Sequence, residues 1–344
     1  MNDLTDRQKL ILSLVIRDYI NTVNPAGSKH LVDDYGLSIS YATARNEMVA
    51  LTEIGYLRQP HTSAGRVPTE EGYRYFVRQL MEHRELPATT KRTIIHQFYQ
   101  VGTDINRWMR LAASVLAHQA QAASLVTAPH QDRAIFKHLE LINTHSRQVL
   151  MVLVLSGGEV CQQMLTLAEP VSQEQLSVVA QSINQLCIGL DSERIAGLAA
   201  PLTTLEQEIL KLVRDEIHRS NGVLTGELYR DGLTHVLAEP EFGEVDLARR
   251  ALRILEERPL LENLLTRTVL SNDMGSVQVL IGGEGTWEEL RECSMVLARY
   301  GSPGLATGTL GVLGPMRMPY GRTISTVRFV AGLLSDLVED MLLE

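Results

Sequence analysis

Residues Ser40 to Val77, SYATARNEMVALTEIGYLRQPHTSAGRVPTEEGYRYFV, leave few folds open. Ser40 can cap a helix by accepting an orphan amide hydrogen bond. From there Ala44, Met48, Leu51 and Gly55 recur at helical spacing and form one face. The opposite face carries Ala42, Asn46 and Glu53, flanked by Thr43, Arg45 and Ala50. It is small and hydrogen-bonding where a merely solvated face would be rich in Glu and Lys. Gly55 ends the helix and Tyr56-Leu57-Arg58-Gln59 begins a strand. The loop His61-Thr62-Ser63-Ala64-Gly65-Arg66 is polar and basic, with a glycine expected at its tip. A second strand follows, and Pro68 and Thr69 open a helix to Met81.

Upstream, Thr5 to Asn21 reads as an amphipathic helix. Leu10, Ile11, Leu14, Val15 and Tyr19 are expected inward, and Arg7, Lys9, Arg17 and Asp18 outward. Asn24-Pro25-Ala26-Gly27 turns the chain, and Ser28 to Tyr35 is a short helix closed by Gly36. Two helices, a short turn, a third helix and a strand–loop–strand make up a winged helix-turn-helix, which lays its third helix in a DNA major groove. The alternative is the same fold used for protein contacts.

The chain of 344 residues is long enough for two or three domains. Its net charge of −9 has the wrong sign for a protein that coats nucleic acid. Residues 1–84, however, hold ten basic and ten acidic side chains, leaving 22 basic and 31 acidic for the remainder. A neutral head on an acidic body is expected. No apolar run reaches the ~18–20 residues of a membrane span, and Met1 to Asp6 is acidic and polar rather than a secretory signal. The expectation is a cytoplasmic protein without membrane contact.

Cys161, Cys187 and Cys293 are far apart in apolar contexts and read as buried reduced thiols without a base partner. His61, His83, His96 and His118 are scattered, so no metal site is expected. Gly282-Gly283-Glu284-Gly285 lacks the Lys-Ser/Thr of a phosphate loop and reads as a turn. Gly308-Thr309-Leu310-Gly311 reads as a strand with close backbone approach. No constellation supports an enzyme, and no cofactor is expected.

Glu85 to Thr90 reads as a linker. Lys91 to Ala123 reads as helix broken near Gly102, its alanine-rich end suited to close packing against another helix. Phe136 to Asn143, Gln148 to Leu155 and Glu159 to Leu167 read as strands, with turns at Thr144-His145-Ser146 and Ser156-Gly157-Gly158. Helices follow at Ser172 to Cys187, Thr203 to Ser220, Asp246 to Glu257 and Pro259 to Leu265. Strands return at Val277 to Gly283, Cys293 to Tyr300 and Leu305 to Leu313, before a last helix from Tyr320 to Leu343. This order predicts one α/β domain with a helical segment inserted into it, the alternative being two small domains.

The chain resembles the heat-inducible transcription repressors of the HrcA family over nearly its full length. The resemblance rests on Leu4-Thr5-Asp6-Arg7-Gln8-Lys9, Pro25-Ala26-Gly27-Ser28-Lys29, Ala42-Thr43-Ala44-Arg45-Asn46-Glu47-Met48, and Gly55-Tyr56-Leu57 with Gln59 through Thr69. Ile281 to Glu284, Cys293-Ser294, Gly308 to Pro315 and Arg317-Met318 extend it. Ala44 and Ala26 depart from the larger aliphatic residues common there.

The resemblance implies an α+β multidomain chain: an N-terminal winged helix-turn-helix and a GAF-like α/β domain with an inserted, mainly helical dimerisation segment. The implied division is 1–86 for DNA binding, 87–123 for linker and connecting helices, 124–200 and 269–344 for the two parts of the GAF-like domain, and 201–268 for the insert. It further implies repression of heat-shock chaperone operons by a homodimer on a double-stranded inverted-repeat operator (CIRCE). The chaperonin GroEL is the implied positive modulator. A small-molecule-responsive regulator, sensing its ligand in the α/β domain, is the alternative.

For DNA, Asn46 is expected to pair with adenine, Arg45 with guanine or phosphate, and Ala42 to meet a thymine methyl. Ser28, Lys29, Thr43, Thr62, Ser63 and Arg66 are expected on phosphates, with Ser40, His61 and Gly65 completing the surface.

Overall fold

Thr5 and Gln8 cap each other reciprocally, Gln8 N to Thr5 Oγ1 at 3.3 Å and Thr5 N to Gln8 Oε1 at 3.1 Å, and this box starts α1 (Asp6–Thr22). The computed structural model describes residues 4–62, 64–81, 85–130, 134–156, 159–198, 201–220, 227–269, 275–282, 288–303 and 305–343. The helix buries Ile11, Leu12, Leu14, Val15 and Ile16. Two positions differ from expectation: Leu10 is exposed, and Asp18 is buried. The helix is covered on more than one side, so a single stripe underestimates its contact surface. Asp18 is tolerated inside because His30 bonds to it at 3.1 Å.

After α2 (Ser28–Asp34) and α3 (Tyr41–Glu53), β1 (Leu57–Arg58) and β2 (Val67–Pro68) pair antiparallel, Leu57 opposite Pro68. Thr69 caps α4 (Glu70–Tyr75), which continues as π-helix over Phe76–Leu80. Then come α5 (Ala88–Val101), three residues earlier than expected, and α6 (Ile105–Ala120), separated at Gly102, whose φ is +77°. The alanine-rich helix stops at Ala120, not Ala123. Gln121 takes a left-handed conformation, and Ala123–Thr127 is a fully buried strand, β3. The alanines therefore pack against a sheet: Ser124 Oγ donates to the Ala113 carbonyl at 2.7 Å.

The next elements are β4 (Phe136–His145), β5 (Gln148–Leu155), β6 (Val160–Thr166), α7 (Gln173–Cys187), α8 (Ser192–Ala196), α9 (Thr204–Ser220), β7 (Leu228–Asp231) and α10 (Leu233–Ala238). They continue with α11 (Val245–Glu256), α12 (Arg258–Val269), β8 (Val277–Ile281), β9 (Cys293–Ser302), β10 (Ala306–Pro315) and α13 (Tyr320–Leu343). Of the expected turns, Gly157, Gly158, Gly283, Glu284 and Gly285 lie outside the described residues. His83 does too.

The strands do not form one sheet. β7, β3, β10, β9 and β8 lie side by side in that order, while β4, β5 and β6 form a separate sheet. One compact unit comprises Met1–Val126, Leu228–Tyr300 and Thr309–Leu337, and the other Thr127–Glu227, Gly301–Gly308 and Val338–Glu344.

Every residue of β10 is buried, and Gly311 keeps the backbones close: a Cβ there would lie 2.5 Å from the Val296 carbonyl. In the second unit, α7 and α9 cover one face of the three-stranded sheet. Leu139, Leu141, Met151 and Leu153 meet Leu176, Ile183, Ile209, Val213 and Ile217. The α9 stripe is thus spent on its own sheet. Residues 201–268 form no separate helical block: α9 belongs to one compact unit, and β7 to α12 belong to the other. The sequence pattern identified these helices but could not say which sheet each covers.

Cys187 and Cys293 are buried, and burial pushes their thiols up to about 11 and about 12 respectively. Cys161 is half-buried rather than buried, its Sγ 3.6 Å from Ser220 Oγ.

Candidate nucleic-acid interface

Ser40 Oγ accepts from Thr43 N at 3.0 Å and bonds Thr43 Oγ1 at 2.9 Å, so α3 begins with its first turn closed. Ala44, Met48 and Leu51 anchor it in the head core. Ala42, Arg45, Asn46 and Glu53 are exposed on the other side, with Thr43 half-buried. Val49 is exposed on this same face at 36%. It is not among the residues expected outward, yet its i+3 and i+4 spacing from Asn46 and Arg45 marks it as such. Such a face can offer a bidentate amide, a guanidinium and methyl groups to base edges.

The loop between β1 and β2 is braced from within. Gln59 Nε2 donates to the Thr62 and Ala64 carbonyls, both at 2.9 Å. Its C-terminal end is tied to the turn before α2: Ala26 N donates to Arg66 O at 2.9 Å, and Arg66 N to Ala26 O at 2.8 Å. Gly65 is not a free tip. A Cβ there would lie 2.3 Å from the Ala26 carbonyl oxygen, so glycine is needed for close approach. Buried Ala26 is the other half of that contact.

Arg66 is half-buried and its Nε donates to Thr52 Oγ1 at 3.0 Å; among the described residues its terminal nitrogens have no partner. His61 and Thr62 are exposed at the outer end, and Ser63 lies outside the described residues. Lys29 is exposed and Ser28 half-buried at the start of α2.

Three expected contact residues therefore have internal roles. Ser40 serves as a cap, Gly65 as a spacer, and Arg66 as a tie to α3 through one of its nitrogens. The cap at Ser40 was legible in the sequence, whereas the roles of Gly65 and Arg66 depend on Ala26 and Thr52, distant in the chain.

The neutral charge count of the head conceals a separation. Asp18 and Asp34 hold His30, Asp33 accepts from Tyr41 Oη at 2.7 Å, Glu47 meets Arg7 at 3.4 Å, and Glu70 and Glu71 hold Arg74. Lys29, Arg45 and Arg58 form no ion pair among the described residues. Six of the head's ten carboxylates have partners inside it, and Lys29, Arg45 and Arg58 remain near α3 and the loop, beside the exposed Glu53. That distribution suits a polyanion.

Residues 106–324 match the family described as HrcA protein C terminal domain. A "Heat-inducible transcription repressor HrcA" of Roseiflexus castenholzii is 46% identical over 347 residues, covering 98% of this chain and 96% of the relative. Relatives of the same name from Herpetosiphon aurantiacus and Dehalococcoides mccartyi are 43% and 34% identical, each across 98% of this chain and 96% and 97% of their own. A crystal structure of a hypothetical protein superimposes with a TM-score of 0.57 at 21% identity, covering 98% of both chains, which is a likeness of fold.

Proposed function

This chain belongs to the HrcA family of heat-inducible transcription repressors, and from that premise we propose that residues 1–86 are a winged helix-turn-helix that reads an inverted-repeat operator, CIRCE, at chaperone operons. The observation that carries the reading is the face of α3. Ala42, Arg45, Asn46 and Val49 are exposed together on a capped helix, and of the nearby carboxylates Glu47 is paired with Arg7 and Asp33 bonded to Tyr41. Asn46 reads adenine, Arg45 guanine or phosphate, and Ala42 and Val49 meet methyl groups. Ser28, Lys29, Thr43, His61, Thr62, Ser63 and the free end of Arg66 hold the backbone.

An inverted repeat calls for a two-fold dimer. The unit around β4–β6 is the one we assign to dimerisation, and the sheet around β8–β10 is the GAF-like part. The outward face of β4–β6 supports this. Ile142, Leu150 and Met164 lie in one cross-strand row, and Val154 and Val160 are paired in another. Ile142, Val160 and Met164 are 43%, 51% and 53% exposed. The outer edge of β4 is already satisfied by Asn184, which exchanges 2.7 and 3.0 Å bonds with Leu139, so β6 is the open side.

Heat derepression follows from marginal stability, with GroEL returning the protein to its binding state. Gel shifts on the inverted repeat, against scrambled DNA, across the heat-shock range and with or without chaperonin, test the whole reading. Operator affinity should fall on modest heating and recover with chaperonin. Unchanged affinity on heating without chaperonin sinks the thermal part, and equal binding to scrambled DNA sinks the reader.

A ligand-responsive regulator is a second reading, favoured by a cavity of about 580 Å³ lined by Ile20, Phe76, Leu86, Gln119, Tyr320 and Arg322. That size suits a small molecule. A thermal-shift screen of metabolites discriminates: a stabilising hit that also alters operator affinity favours this reading.

A further inference from the structure

The helix after the hairpin reaches the edge strand of the five-stranded sheet. Arg74, on α4, has a side chain only 13% exposed. Its Nη2 donates to the Ile281 carbonyl at 2.9 Å and pairs with Glu70 at 3.0 Å, while Nη1 meets Glu71 at 2.5 Å. Ile281 ends β8. The next residue, Gly282, has φ of +62°, and a Cβ there would lie 2.1 Å from the Glu70 carboxyl carbon. The positive φ favours glycine at this position, and a side chain there would displace the Glu70 carboxylate.

One residue from Arg74, the Tyr73 ring lies 6.1 Å from that of Tyr320, the first residue of α13. Tyr320 is itself pinned, its Oη 2.8 Å from Ser294 Oγ and donating to the Met316 carbonyl at 2.6 Å. A planar guanidinium held by acceptors on two elements fixes direction as well as distance, which a flexible ammonium does not. The outward face of α3 remains exposed in this same arrangement, so the contact orients the reading helix without covering it.

We infer that the Arg74–Glu70 contact with Ile281 and Gly282 is a positioning latch: it fixes the angle of the reading head and thereby sets which half-site spacing the paired repressor accepts. The inference rests on the DNA-reading proposal. Two heads must meet half-sites about one helical turn, ~34 Å, or a multiple apart, so freeing the head relaxes that requirement.

The test uses the full chain as wild type, Arg74→Lys and Gly282→Ala. Each is measured on a single half-site, on the inverted repeat, and on repeats whose spacer is changed by about one or two base pairs. Half-site affinity should stay within about twofold, while affinity for the native repeat falls about tenfold and the spacing preference flattens. General destabilisation would lower half-site and repeat binding together. A wild-type spacing profile in both variants overturns the latch. Spin-label distances between the head and the five-stranded sheet provide a readout independent of DNA. A narrow wild-type distribution that broadens in both variants supports the latch, and unchanged distributions overturn it. Should the wild type not distinguish its half-site from scrambled DNA, the reading proposal fails and those distances still decide the latch.

Discussion

Removing an exposed amide from a capped helix costs a fold little, whereas removing a side chain that ties two elements costs more. Asn46 is of the first kind and Arg66 of the second. Asn46→Ala should leave stability within about 0.5 kcal/mol and lose ~1–3 kcal/mol of discrimination between operator and scrambled DNA. Arg66→Ala should weaken binding to all sequences alike and shallow the salt dependence by about one unit of slope. It should also cost about 0.5–1.5 kcal/mol of stability, because Thr52 loses a donor. Binding titrations at several salt concentrations, paired with urea unfolding, separate the two. Asn46 was legible in the sequence because helical period alone turns it outward. Arg66 was legible only in part, since Ala26 and Thr52, which hold it, lie 40 and 14 residues away.

Between elements, α1 and α2 are joined through His30, whose Nε2 faces Asp18 at 3.1 Å and Nδ1 faces Asp34 at 3.0 Å. Both nitrogens donate only in the imidazolium, and the hydrogen bond to Asp18 raises the His30 pKa above its ordinary value. A raised folded-state pKa gives stability that is full below the unfolded value of 6.5 and lost as pH rises through the higher folded value. Urea midpoints of wild type and His30→Ala should therefore differ most below the unfolded value and draw closer as pH rises above it, since the neutral ring can donate to one carboxylate at most. No difference at low pH would mean the tie contributes nothing. The α4 helix has the opposite character: Arg74 Nε, beside β8, and Tyr73 Oη are buried without a partner among the described residues. Each such group costs about 1–3 kcal/mol, which the bonds of Arg74 to Glu70, Glu71 and the Ile281 carbonyl must offset.

At the scale of the whole molecule, the inward and outward faces of β4–β6 part company. Alternation along β5 sends Val149, Met151, Leu153 and Leu155 to the core and leaves Leu150, Val152 and Val154 on the other face. If two copies meet there, Met164→Glu should convert the dimer to monomer in sedimentation velocity, weaken inverted-repeat binding and spare the half-site. A dimer that persists places the interface elsewhere. Most element boundaries were legible from period and caps, since hydrogen bonding within a helix and alternation along a strand are local. The last helix, Tyr320–Leu343, matches its expected bounds. Which strands share a sheet was not legible. Phe136 to Thr166 alternates as an ordinary half-buried sheet does, and nothing in it excludes pairing with Val277 to Pro315. The sequence by itself determined the elements and most of the outward residues of α3, because both follow from backbone geometry at short range. Only the tertiary structure decided that β3 lies between β7 and β10, that β4, β5 and β6 form a sheet of their own, and that Gly65, Arg66 and Gly282 are spacers and ties. Those choices depend on contacts between residues far apart in the chain, where packing rather than local propensity selects the partner.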